Sequence, residues 1–230
     1  MISLIFPKAA QFLPDVSLVL SEMGYCPPHN DHLQNLIVEK LVETCEHTEI
    51  KAGFFLLPPK SVKIDKQIYF DDQQIFDPGA IIISQMAHST SLALLLATLG
   101  DEFDLWARSL AENDMLAAYI VDIIGSLLVE IIIDHLEIGI YLQAALRGEK
   151  CSNRFSPGYC QWLVEEQKQF FDLLPPEMQF VKLQKSSLML PLKSVSAVIG
   201  LGRNVKKGEY HCHICTLQNC YRRKKTRFIL

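Results

Sequence analysis

The order of helix-like and strand-like segments in this 230-residue chain predicts an α+β fold rather than a doubly wound parallel sheet. Three observations carry that expectation. Strands and helices are mixed without the regular spacing that βαβ units impose. One long, largely apolar run, Met115 to Leu146, is cut by Asp122, Glu130, Asp134 and Glu137, and Asp122, Ser126, Glu130 and Asp134 recur every four residues and so share a helix face. Short β-branched stretches interrupted by proline and glycine lie on both sides of that run.

Taken in order, residues 15–24 read as a short helix closed by Gly24. Residues 31–45 read as an amphipathic helix with Asp31 as its cap. "AGFFLL" and "KQIYF" are strand-like, and "DDQQIFDPG" supplies turn chemistry. Residues 84–99 read as another helix, ended by Gly100, and the long helix begins near Glu112. A helix through "WLVEEQKQFFDLL" stops at Pro175 and Pro176, because proline cannot continue the hydrogen-bond ladder. The stretch "FVKLQKSSLMLPLKSVSAVIGLG" reads as a strand pair or small meander, broken by Pro191 and the glycines. The sequence contains no internal repeat.

Composition excludes several function classes. The net charge of −4 hides an asymmetry: residues 203–230 carry eight Lys or Arg and one acid, a local +7 that leaves −11 on the rest. The apolar N-terminus is cut by Lys8, Asp15 and two prolines and has no signal-peptide layout. Acidic residues divide the long run well below the ~20 apolar residues that a spanning helix needs, so a core helix is expected and no membrane partner. Seven cysteines without an export signal point to reduced thiols in the cytoplasm. No G-x-S-x-G elbow or phosphate loop is present, and "GLGRNVKKG" lacks dinucleotide-binding glycine spacing. His29 and His32 read as surface histidines. His88 and His135 read as single packed or capping histidines at helical positions. Glu130, Asp134 and Glu137 read as solvated or packing-paired carboxylates.

The segment "NRFSPGYCQW" follows the long helix. By itself "SPGY" is a turn, in which Pro157 presets φ, Gly158 accepts positive φ, and Tyr159 anchors the turn on the core. It lies between "LATLG" with the acidic-faced helix and "MLPLKSVSAVIGLG". That ordered set resembles the activation domain of vitamin B12-dependent methionine synthase, and more closely its stand-alone relatives, from about Asp15 to Cys220. "RFSPGY" resembles that family's Arg-x-x-Pro-Gly-Tyr segment, with "TLG" and "KSVSAVIGLG" in support.

The resemblance implies a single α+β domain with a central, mainly antiparallel sheet. It also implies binding of S-adenosylmethionine, in support of reductive remethylation of a cob(II)alamin-containing partner, a step of methionine biosynthesis. The chain would then be an activation subunit of a B12-dependent methyltransferase rather than a complete enzyme, served by an electron donor such as a flavodoxin or ferredoxin. The ligand residues it implies are Arg154, Pro157, Gly158 and Tyr159, with Ser194 and Ser196 lining the same cleft. Their chemistry fits. A guanidinium forks a carboxylate, glycine lets the backbone approach, and an aromatic face attracts a cationic sulfonium. The chain departs from the fused domains after its Ser-Val-Ser segment, where they carry aromatic residues and a His-Pro and this chain has "AVIGLG". Glu149 stands as the acidic ligand contact.

The C-terminal "HCHICTLQNCYRRKKTR" is the second informative feature. Cys212, Cys215 and Cys220 form C-x2-C-x4-C beside His211 and His213, a donor set suited to zinc or to an iron–sulfur cluster. The domain expectation is therefore residues 1–205 for ligand binding and 206–230 as a basic, cysteine-rich tail, with nothing in the sequence tying the two together. An alternative is a metal- or cluster-bearing redox partner of a corrinoid protein that no longer binds S-adenosylmethionine. Binding of nucleic acid is not expected, since the basic residues lack interleaved aromatics beyond Tyr221 and Phe228.

Overall fold

The computed structural model describes residues 1–25, 31–57, 62–64, 67–70 and 73–208. In chain order the elements are β1 (Ile2–Ile5), α1 (Val16–Glu22), α2 (Asp31–Glu46), β2 (Lys51–Leu56), β3 (Val62–Ile64), β4 (Ile68–Phe70), β5 (Gln73–Phe76), α3 (Gly79–Met86) and β6 (Ser91–Thr98). They continue with α4 (Asp101–Asn113), α5 (Met115–Leu146), β7 (Lys150–Cys151), α6 (Gln167–Asp172), β8 (Lys182–Leu183), β9 (Met189–Leu190) and β10 (Ser194–Gly202). The fold is α+β. Its central sheet has five strands in the order β1-β2-β6-β10-β7, and every pairing in it is antiparallel.

Strand periodicity divides the core into two layers. Ala93, Leu95 and Ala97 of β6, with Ala197, Ile199 and Leu201 of β10, face α5 through Val121, Leu128, Ile132 and Leu136. The alternate residues Leu92, Leu94, Leu96 and Val198 face a second cluster built from Phe76, Ile82, Trp162 and Phe170. Successive side chains on a strand point to opposite faces, so one β6–β10 ladder supplies both layers. A third cluster packs α1 and α2 on the N-terminal half of α5 through Leu20, Ile37, Ile120 and Ile124. The long apolar helix is thus a core element, as its acidic face implied. Asp114 caps it, its carboxylate accepting from the Leu116 and Ala117 amides.

Several segment readings need correction. Residues 84–99 are not one helix: α3 ends at Met86, the chain turns through His88 at φ 69°, and β6 follows. Every residue of β6 is buried. A strand covered on both faces shows an unbroken apolar run that periodicity cannot tell from a buried helix. His88 therefore sits in a turn, not on a helix. "DDQQIFDPG" contains β5, paired with β4, besides its turn. Asp31 is the first residue of α2 rather than its cap. Helix α4, with Asp101, Glu102 and Asp104 in its first turn, precedes the long helix as a separate element. The last segment holds a β8–β9 hairpin and then one nine-residue strand, whose Gly200 and Gly202 do not break it. There glycine is required by close approach, since a Cβ would collide with Ser89 and with the His88 carbonyl.

Candidate functional site

The acidic face of α5 is the foundation of the site. Asp122, Ser126, Glu130, Asp134, Glu137 and Tyr141 follow one another at helical spacing, and three cations from outside the helix close on them. Lys193, just before β10, donates to Asp122 Oδ1 at 2.7 Å and Ser126 Oγ at 2.8 Å. Arg154 donates from Nη1 to Asp134 Oδ1 at 2.7 Å and from Nη2 to Glu130 Oε2 at 2.8 Å. Its Nη1 also lies 3.7 Å from Glu137 Oε2. Lys207, beyond β10, donates to the Tyr141 hydroxyl at 2.8 Å, and its Nζ stands 3.5 Å from Glu137 Oε1. Tyr141 donates to the same Glu137 oxygen. Of the two readings the sequence left open for these carboxylates, solvated or packing-paired, Glu130 and Asp134 combine both, being ion-paired and solvent-exposed.

The Arg154 side chain is 5% exposed while those of Glu130 and Asp134 are 45% and 63% exposed. Its carboxylate partners therefore reach solvent at the edge of a buried guanidinium. Glu149, the expected acidic contact, instead pairs with Arg147 at 2.8 Å. The acids beside Arg154 come from the preceding helix. Their four-residue recurrence was the signal available in the sequence.

Arg154 belongs to a buried segment that runs along the edge of β10. Ser152 donates its amide to Gly200, and Phe155 exchanges two backbone hydrogen bonds with Val198, at 3.0 and 2.7 Å. The segment then turns. The Tyr159 amide bonds to the Ser156 carbonyl at 2.9 Å, across Pro157 and across Gly158 at φ 97°. This is the geometry of a type II turn, with proline presetting φ and glycine supplying the left-handed residue. Trp162 anchors it from below. Its amide bonds to the Tyr159 carbonyl, its carbonyl accepts from Gly158, its ring meets Phe76 edge-on at 5.1 Å, and its indole N–H donates to Glu166. Gly158 is exposed, and a side chain there would meet nothing within 4 Å.

The structure brings some of the expected ligand residues together and separates others. Ser156 Oγ donates to the Ser196 carbonyl at 2.7 Å, so the turn is tied to the Ser-x-Ser stretch. Ser196 Oγ accepts from Gln167 Nε2. Ser194 Oγ lies 2.6 Å from the Pro191 carbonyl and 2.8 Å from Thr98 Oγ1. Pro157 is buried and Tyr159 half-buried against the second cluster. Arg154, in contrast, reaches α5 on the opposite face. The guanidinium and the phenol therefore flank the sheet edge from two sides rather than sharing one wall.

A cavity of about 490 Å³ is lined by Tyr141, Glu149, Lys150, Cys151, Val205, Lys206 and Lys207. Burial, reinforced by the negative charges of Glu137 and Glu149, pushes the Cys151 thiol up to about 11. His135 packs edge-on against Phe12 at 5.1 Å. Among the described residues no group of His, Cys, Asp or Glu is arranged to hold a metal. Cys212, Cys215 and Cys220 lie outside the described residues, as does His29.

No protein-family profile matches the chain, and no curated protein matches it. Among solved structures it is similar to the crystal structure of the MetH reactivation domain bound to AdoHcy. The similarity covers 91% of this chain and 81% of that one, with a TM-score of 0.61 and 14% identity. At that identity the two chains share the fold.

Proposed function

We propose that the chain binds S-adenosylmethionine at the sheet edge around Arg154 and the Pro157–Gly158–Tyr159 turn, and supports reductive remethylation of a separate corrinoid protein. One observation carries the reading. The Arg-x-x-Pro-Gly-Tyr segment lies on the edge of β10 and is hydrogen-bonded to Ser196, within a fold shared with a reactivation domain that binds AdoHcy. The ligand's amino-acid end is a zwitterion. Arg154 suits its carboxylate, and the exposed flanks of Glu130 and Asp134 suit its ammonium. Exposed Gly158 leaves the backbone open to the ligand, and the Tyr159 ring suits the sulfonium. Ser196 holds the turn in place through its carbonyl, and Ser194, which bonds Thr98 and the Pro191 carbonyl, lines the same cleft.

In this reading the methyl group of S-adenosylmethionine passes to a corrinoid whose cob(II) state an electron donor, such as a flavodoxin or ferredoxin, has reduced by one electron. S-adenosylhomocysteine leaves. The protein acts in the cytoplasm, and Cys212, Cys215 and Cys220 of the C-terminal segment hold zinc or an iron–sulfur cluster. Brown protein from anaerobic purification, bleached by dithionite, identifies the cluster; colourless protein with about one zinc per chain identifies zinc.

The closure of Arg154 on two carboxylates favours the alternative, a redox partner of the corrinoid protein that has lost the methyl donor. The test is transfer of labelled methyl from S-adenosylmethionine to a methionine synthase lacking its own activation domain, with an electron donor present. Label on the cobalamin that depends on this chain supports the first reading. Transfer that is unchanged without the chain rejects it.

A further inference from the structure

We propose that the strap formed by residues 203–208 positions Arg154 through Glu137, and so links the ligand edge to whatever engages the C-terminal segment. The effect on the ligand rests on the function proposed above; the link between strap and arginine does not. The strap is seated at three points. Val205 is fully buried. Lys207 sits over the Tyr141 ring at 4.5 Å and closes on Glu137. The Gly208 carbonyl accepts from Asn153 Nδ2 at 2.6 Å, one residue before the arginine.

Glu137 is the shared group. Its side chain is 15% exposed, with Lys207 on one oxygen and Arg154 on the other. Lys207 shares Oε1 with the Tyr141 hydroxyl, and the Arg154 contact to Oε2 stays at 3.7 Å, longer than the 2.7 and 2.8 Å bonds to Asp134 and Glu130. Removing Lys207 leaves Arg154 as the cation nearest Glu137. The carboxylate then closes on the guanidinium and competes with any incoming carboxylate. A seated strap therefore favours ligand binding, and a load on the chain beyond Gly208 opposes it. Cys212 follows only four residues later in the sequence, so the strap is the stretch of chain between the ligand edge and the thiol-rich segment.

Two measurements on the full chain test this. Calorimetry with S-adenosylmethionine compares the parent, Lys207→Met, Lys207→Arg, Glu137→Gln and the Glu137→Gln/Lys207→Met pair. The expected result is a loss of about threefold in Lys207→Met, the scale of a partly exposed ion pair. Lys207→Arg restores affinity, and Glu137→Gln makes Lys207→Met silent. Equal affinity of the parent and Lys207→Met, or the same loss in the Glu137→Gln background, overturns the effect on the ligand. The second measurement needs no ligand. Melting-temperature shifts of Lys207→Met and Arg154→Lys should be non-additive when Glu137 is present and additive in Glu137→Gln. Additivity in both backgrounds overturns the link itself. Absence of S-adenosylmethionine binding in every protein, with non-additive melting shifts, would reject the proposed function and leave the link standing.

Discussion

Arg154 is the most constrained polar residue of the site, because its charge is buried while two of its counter-ions reach solvent. Removing it leaves Glu130, Asp134 and Glu137 facing one another along α5. We expect Arg154→Met to destabilise the protein by about 1–3 kcal/mol, less than a fully buried pair because the partners are screened. Arg154→Lys should lower the melting temperature less and weaken S-adenosylmethionine by about 1.5–3 kcal/mol, since an ammonium cannot fork two carboxylates at once. Thermal unfolding and calorimetry on the two variants check both. Cys151 gives a pH signature. Its folded pKa of about 11 lies above that of an unfolded thiol, ~8.5, so burial stabilises the fold fully below the unfolded value. That contribution falls as pH rises toward 11. Denaturant unfolding from pH 8 to 11 should steepen this loss in the parent relative to Cys151→Ala.

At the scale of elements, α5 supports the sheet, and its two interior glycines make opposite demands. A Cβ on Gly125 would collide with the Phe103 ring of α4, whereas Gly139 has open space around it. Gly125→Ala should therefore destabilise by about 1–3 kcal/mol through overpacking. Gly139→Ala should stabilise by about 0.5–1 kcal/mol, the helix-propensity difference. Melting temperatures that move the same way in both variants would contradict this packing. The legibility of the elements follows from the same physics. α5 was readable because one face is acidic and the others apolar, and the Pro157–Gly158 turn because its dihedral demands are local. β6 was misread as helix because burial on both faces erased its alternation. α4 was missed because its amphipathic segment runs into Asp114 with no proline or glycine between it and α5. The three cations on the acidic face were invisible for another reason. Lys193, Arg154 and Lys207 are brought together only by the pairing of the edge segment with β10.

For the whole molecule, the described body continues past residue 205 to Gly208, with Val205 and Lys207 packed on it. Residues 203–208 therefore pack as part of the body. A chain ending at Gly208 should melt within a degree or two of the full protein. One ending at Arg203 should lose about 1.5–3 kcal/mol with the buried Val205 side chain. The central claim, that this fold still binds a methyl donor at its arginine and turn, is tested most directly by calorimetric titration of S-adenosylmethionine into the parent, Tyr159→Phe and Tyr159→Ala. The account predicts one site per chain, nearly full affinity in Tyr159→Phe, and a loss of about tenfold in Tyr159→Ala as the aromatic face is removed. Titration of the folded parent without heat or saturation, or equal affinity in all three proteins, would contradict it.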